Sequence, residues 1–229
     1  IAKSPRIQKL YDHLFEKMPE VEADRAVILT RVYKETEGEQ IITRRAKAFK
    51  AICEALPITI RPYELIVGSN AKSPRSCQLF PEYSFDWVEA EFDTMETRSA
   101  DPFHISEEAK QALHEAYKYW GGKTTSELAS SYMEEETLLA MKHNIFTPGN
   151  YFYNGIGHFT VKYWEVLEIG YEGIIAKAQA ELDKLDIGDA DFGKRSAFLR
   201  ASIMSCQAAI DYAKRYALLA LEEAQKESD

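Results

Sequence analysis

The chain has 229 residues, 45% of them hydrophobic and 12% aromatic, and a formal net charge of -9. That length allows one large domain or two small ones with a sizeable core. The acidic balance excludes nucleic acid as a main partner, since phosphate binding needs clustered Lys and Arg, and no apolar run reaches transmembrane length.

The predicted elements are mostly helices. Residues 5–20 carry Ile7, Leu10, Tyr11, Leu14 and Phe15 at helical spacing, and residues 22–36 repeat the pattern with Ala26, Val27, Leu29 and Tyr33. Residues 39–55 form a third helix that Leu56-Pro57 breaks. Ile58-Thr59-Ile60 and Leu65-Ile66-Val67 are short β-branched runs around Arg61-Pro62 and predict a small strand pair. A loop over 74–81 precedes a helix over 84–97. Ser106 caps the next helix, which runs to Trp120 and stops at Gly121-Gly122. Residues 124–141 are helical and rich in Glu, with Glu134-Glu135-Glu136 as a solvated face. Long helices follow over 160–185 and 191–226. The first presents Leu167, Tyr171, Ile174, Ala178, Leu182 and Leu185 on one face. The second repeats Ile203, Cys206, Ile210, Ala213, Ala217 and Leu221. No repeat or composition shift divides the chain, so residues 1–229 read as one helical unit with a few short strands.

Cys53, Cys77 and Cys206 are few, odd in number and far apart, with no ligand spacing among them. They indicate a reducing, cytoplasmic setting and buried structural roles. No signal peptide is visible, and the chain begins at Ile1 rather than Met, as expected of a processed or partial polypeptide.

The segment from Phe146 to His158 is unlike the rest. It holds three glycines, a proline, Asn150, Asn154, four aromatics and a histidine in thirteen residues. Helices exclude that mixture, and solvent loops rarely carry so many aromatics. The expectation is a pocket lining. His158 can donate, accept or carry a proton. Its bland alternative is a structural histidine bridging two backbone groups, which composition alone favours by roughly two to one, and the flanking Gly-x-Gly and aromatics move the two readings toward even. Asn150 is a turn cap or a donor to a substrate hydroxyl. His143 stands fifteen residues from His158, no metal-ligand spacing accompanies either, and no metal is expected. Gly155-Ile156-Gly157 is not a dinucleotide fingerprint, because no apolar strand precedes it and no third glycine follows in register. The residues alone therefore provide one site histidine and no complete catalytic set.

Several segments, in order, carry a resemblance. They are Arg25-Ala26-Val27-Ile28-Leu29, Thr36-Glu37-Gly38, Leu56-Pro57-Ile58-Thr59-Ile60, Glu64-Leu65-Ile66-Val67-Gly68-Ser69, Pro74-Arg75-Ser76, Phe80-Pro81-Glu82, Gly122-Lys123-Thr124-Thr125, and Gly149-Asn150 through Gly157-His158. Together they resemble the N-terminal region of glycyl radical enzymes, the pyruvate formate-lyase superfamily. Within it the chain is most similar to the B12-independent glycerol and 1,2-propanediol dehydratases.

The resemblance implies that residues 1–229 are the N-terminal portion of a pyruvate formate-lyase-type domain, a ten-stranded α/β barrel inside a helical shell. It implies a lyase that dehydrates a small diol to an aldehyde. A thiyl radical removes hydrogen from C1 and the neighbouring hydroxyl leaves as water. A protein glycyl radical outside this chain starts the reaction, and a partner activase using S-adenosylmethionine and an iron–sulfur cluster installs it. By match of motif, His158 bonds a substrate hydroxyl and assists its departure, and Asn150 supplies an amide to the same pocket. Further implied partners are the remainder of the enzyme and a second copy in a homodimer.

The chain departs from the pattern in having neither a Cys-x-Glu pair nor an Arg-Val-x-Gly-Tyr segment. By itself it is expected to be inactive. Choline-cleaving relatives carry an acidic residue at the place of His158, hydroxyproline dehydratases an aromatic at that of Asn150, and formate C-acetyltransferases a less similar loop. Asn150 with His158 therefore favours a neutral polyol. The competing class is a non-catalytic helical scaffold, which predicts a self-contained bundle without large exposed apolar faces.

Overall fold

A computed structural model describes residues 4–147 and 160–227. It is mainly helical, as expected, with very little strand. Helix α1 spans Pro5–Phe15; the Ser4 hydroxyl accepts from the Ile7 amide and Pro5 occupies the first turn, where its missing N–H costs nothing. Helices α2 (Asp24–Glu35), α3 (Ile41–Ala55) and α5 (Glu107–Trp120) bring together Ala26, Leu29, Val32, Tyr33, Ala48, Leu113, Ala116 and Trp120 as one core. The Trp120 indole donates to Thr30 Oγ1 at 2.8 Å, so this large ring is buried without an orphaned N–H.

The strands lie elsewhere than the sequence suggests. Val21–Glu22 (β1) pairs in parallel with Cys77–Gln78 (β2), in the register Val21 to Cys77 and Glu22 to Gln78. The predicted helix over 22–36 therefore starts only at Asp24. Residues 58–60 and 65–67 form no ladder. Arg61 and Glu64 close a turn instead, with the Arg61 amide donating to Glu64 Oε2 at 3.1 Å and Arg61 Nε to Oε1 at 2.6 Å. An isolated two-stranded hairpin is marginal in water, and this ion-paired turn replaces it.

Three predicted helices are broken. The segment 84–97 becomes α4 (Asp86–Ala90) and a 3₁₀ turn at Met95–Thr97. Phe85 and Met95 are each 1% exposed and share the core. On a straight helix they would stand about 15 Å apart, so burying both bends the chain. The segment 124–141 becomes α6 (Thr125–Ser131) and α7 (Glu135–Lys142), and Glu135 and Glu136 fall in the first turn of α7, where carboxylates oppose the helix dipole. The segment 160–185 becomes α8 (Tyr163–Leu182), interrupted at Gly170. Helix α9 (Phe192–Lys226) is continuous and packs on α3 and α8. Its buried positions are Ser196, Ala201, Ala208 and Tyr216. Ile203, Cys206 and Ile210 are half-buried, whereas Ala213, Ala217 and Leu221 face solvent.

Helix α6 begins with a reciprocal cap. Thr124 Oγ1 accepts from the Glu127 amide at 3.1 Å, and Glu127 Oε2 accepts from the Thr124 amide at 3.2 Å. Thr124→Ala is expected to lower stability by about 1–2 kcal/mol, read as a lower denaturant midpoint at unchanged slope.

Candidate functional site

Asn150 and His158 lie outside the described residues, so the structure bears on what flanks them. Upstream, α7 ends at Lys142 and Asn144 has φ 54°, which turns the chain toward Thr147. Downstream, Thr160 to Lys162 lead into α8.

The described residues bring together a clamp that sequence reading did not identify. Arg25 opens α2 and Glu82 follows β2. Arg25 Nη2 donates to Glu82 Oε1 at 2.6 Å, and Nη1 donates to Glu82 Oε2 at 3.1 Å and to the Leu79 carbonyl at 3.1 Å. The guanidinium lies 3.6 Å from the centre of the Phe80 ring. The Arg25 amide donates to Gln78 Oε1 at 2.9 Å, and Gln78 Nε2 donates to Glu22 Oε2 at 2.7 Å. Glu22 also accepts from the Lys72 amide at 2.8 Å. Burial raises the Glu22 carboxyl above its ordinary range, against the lowering effect of the Lys72 and Ser73 amides that donate to it. Thr125 and Ser126 donate their amides to the carbonyls of Glu82 and Tyr83 at 3.1 and 2.8 Å. Segments 25–29, 80–82 and 122–125, picked out separately in the sequence, thus meet at one joint. The signal available was a basic residue at the start of one such segment and an acidic residue at the end of another.

That joint walls a cavity of about 620 Å³ lined by Arg25, Tyr33, Phe49, Phe80, Glu82 and Tyr212. Burial pushes the Tyr33 and Tyr212 hydroxyls up, so both stay protonated. Both Glu82 oxygens are taken by Arg25. The cavity offers binding surface and fixed dipoles rather than a proton donor near neutrality. Cys53 is buried and Cys77 and Cys206 are half-buried; all are free thiols. Burial raises each of them, so they remain protonated and are poor nucleophiles. Among the described residues no group of three or more His, Cys, Asp or Glu could hold a metal, and no helix is long and apolar enough to cross a membrane.

Large apolar side chains remain uncovered. Tyr163, Trp164 and Leu167 of α8 and Phe198, Leu218 and Leu221 of α9 are exposed. A free-standing scaffold would bury such faces.

The Pyruvate formate lyase-like family model matches residues 2–229. A solved structure on 1,2-propanediol dehydration in Roseburia inulinivorans superposes with TM-score 0.93 and 58% identity, covering 100% of this chain and 29% of that one. The glycerol-bound B12-independent glycerol dehydratase from Clostridium butyricum gives TM-score 0.93 and 49% identity, with the same coverage of 100% and 29%. The (2S)-3-sulfopropanediol dehydratase of Klebsiella oxytoca is 31% identical over 230 residues, 98% of this chain and 28% of its own. The chain thus spans less than a third of the length of these relatives.

Proposed function

On the premise that this chain belongs to the pyruvate formate lyase-like family, we propose that it is the N-terminal portion of a glycyl radical lyase dehydrating a small diol such as glycerol or 1,2-propanediol. One observation carries the substrate class. Identity is 58% and 49% to structures concerned with 1,2-propanediol and glycerol, and 31% to the sulfonated-diol dehydratase. The uncovered faces of α8 and α9 support a larger enzyme and count against the scaffold.

In this proposal the glycyl radical and the thiyl cysteine belong to the remainder of the enzyme and supply hydrogen abstraction from C1. A radical activase using S-adenosylmethionine and an iron–sulfur cluster serves as partner, and the enzyme is a cytoplasmic homodimer. His158 holds and protonates the departing hydroxyl, and Asn150 orients the diol through its amide. Hydroxide is a poor leaving group, so a positioned donor lowers the barrier chiefly in the transition state. In the sequence, both residues lie between α7 and α8.

The test is anaerobic activation of the full-length enzyme followed by assays on glycerol, 1,2-propanediol, choline, trans-4-hydroxyproline and pyruvate with coenzyme A. Aldehyde formation from a diol, with the other substrates inert, is the expected result. Turnover of one of the others with no aldehyde from either diol overturns the proposal.

A further inference from the structure

The cavity beside the Arg25 clamp has a ligand chemistry of its own. Its volume of about 620 Å³ suits a small organic molecule. Phe49 reaches it from α3, Phe80 and Tyr83 from the chain after β2, and Tyr171 from α8. These rings are exposed by 43%, 44%, 37% and 41%. Single exposed aromatics are ordinary, but four from three parts of the chain around one hollow mark a binding surface. A flat, apolar body placed among them would cover them.

The charges choose the sign of that body. Aromatic walls can hold a cation, but here cations already stand over the rings. Arg25 lies 3.6 Å from the centre of Phe80, Arg44 4.5 Å from that of Tyr33 and Arg215 6.0 Å from that of Tyr212. Among the described residues Glu82 is the only carboxylate in the lining, and Arg25 takes both its oxygens. Arg45 is left over. It lines the cavity, is exposed, and has no ion-pair partner among the described residues. Burial raises the Tyr33 hydroxyl and the Arg45 guanidinium opposes that rise, as expected of a cation beside that hydroxyl at the cavity wall. A chain of net charge -9 thus keeps an uncompensated positive group in an aromatic hollow. The planar guanidinium fork donates in parallel to both oxygens of a carboxylate, and one such cation balances one negative charge.

We propose that this cavity is a binding site for a flat aromatic monocarboxylate, with the carboxylate on Arg45 and the ring system among Phe49, Tyr83 and Tyr171. The site goes beyond the dehydration proposed above and does not rest on it.

The experiment is isothermal titration calorimetry of the full-length enzyme, without activation. Three probes of one shape are compared: 2-naphthoate, 2-naphthalenemethanol and 2-naphthylmethylammonium. No turnover is involved, so failure of the diol reading leaves the result untouched. The carboxylate is expected to bind with a Kd below about 1 mM. It should bind about 10-fold tighter than the alcohol, the weight of a hydrogen bond to a charged group, and the ammonium should bind most weakly. Arg45→Met should abolish the preference for the carboxylate and leave the alcohol unchanged. Phe49→Ala should weaken the carboxylate and the alcohol alike by about 5-fold, through lost ring contact. Arg195→Met, which removes an exposed guanidinium outside the cavity lining, should change neither. The probe series and Phe49→Ala decide the matter even where Arg45→Met does not fold.

No binding of any probe up to about 1 mM, as when the remainder of the enzyme fills the hollow, overturns the site. Equal affinity for carboxylate and alcohol, or tightest binding of the ammonium, overturns the anionic class. Wild-type affinity for 2-naphthoate in both Arg45→Met and Phe49→Ala puts the ligand elsewhere and overturns the proposal.

Discussion

Replacing His158 with alanine in the full-length enzyme is expected to lower kcat by about 10²–10⁴-fold, the usual weight of a positioned acid–base group. The effect should fall on kcat more than on KM. A hydroxyl is already hydrogen-bonded in the ground state, but it becomes a strong base only as its bond to carbon breaks. A donor aimed at that oxygen is therefore worth most in the transition state. His158→Gln keeps a donor but cannot release a proton near neutrality, so it should recover binding and little of the rate. Asn150→Ala should act chiefly on KM. Radical content measured beside the kinetics separates lost chemistry from lost activation. A His158→Ala enzyme with full radical content and a kcat within threefold of wild type would remove His158 from the mechanism.

Arg25→Leu is expected to destabilise the protein by about 3 kcal/mol, because removing one partner of a partly buried pair leaves the other charge uncompensated. The Arg25 and Glu82 side chains are only 14% and 21% exposed, so water replaces little of what is lost. The variant also frees the Leu79 carbonyl and uncovers the Phe80 face. Arg25→Lys should recover only part of the loss, since an ammonium cannot donate in parallel to both carboxylate oxygens and stack on a ring. The double variant Arg25→Leu with Glu82→Leu should be less damaging than the sum of the single ones, because no lone charge remains. Urea midpoints of the four proteins measure this coupling. Additive losses would mean that the pair contributes nothing beyond its separate contacts.

Much of the helical frame was legible in the sequence because its determinants are local. Ser106 marks a helix start, Leu56-Pro57 a stop, and apolar spacing locates α1, α2, α3, α5 and α9. Predominantly helical architecture was therefore a safe expectation. So was the family, because it rests on an ordered set of segments, and the match over residues 2–229 bears it out. The roles of Asn150 and His158 remain proposals drawn from motif and chemistry, and both residues lie outside the described part of the structure.

What sequence reading missed has one physical origin. Residues 58–60 and 65–67 look like strands because they are β-branched, but a strand exists only where a partner backbone is presented. The partners here are residues 21–22 and 77–78, which have no comparable propensity. The segment 84–97 shows helical periodicity, yet Phe85 and Met95 both enter the core and the helix gives way. The clamp between Arg25 and Glu82 spans 57 positions, and no local window contains it. By itself the sequence determined the approximate places of α1, α2, α3, α5 and α9, the Ser106 cap and family membership, since these depend on neighbours a few residues apart or on order along the chain. Only the tertiary structure decided which strands pair, where helices break and which charges meet, because each is settled by burial and hydrogen-bond satisfaction between segments that approach only in the folded protein.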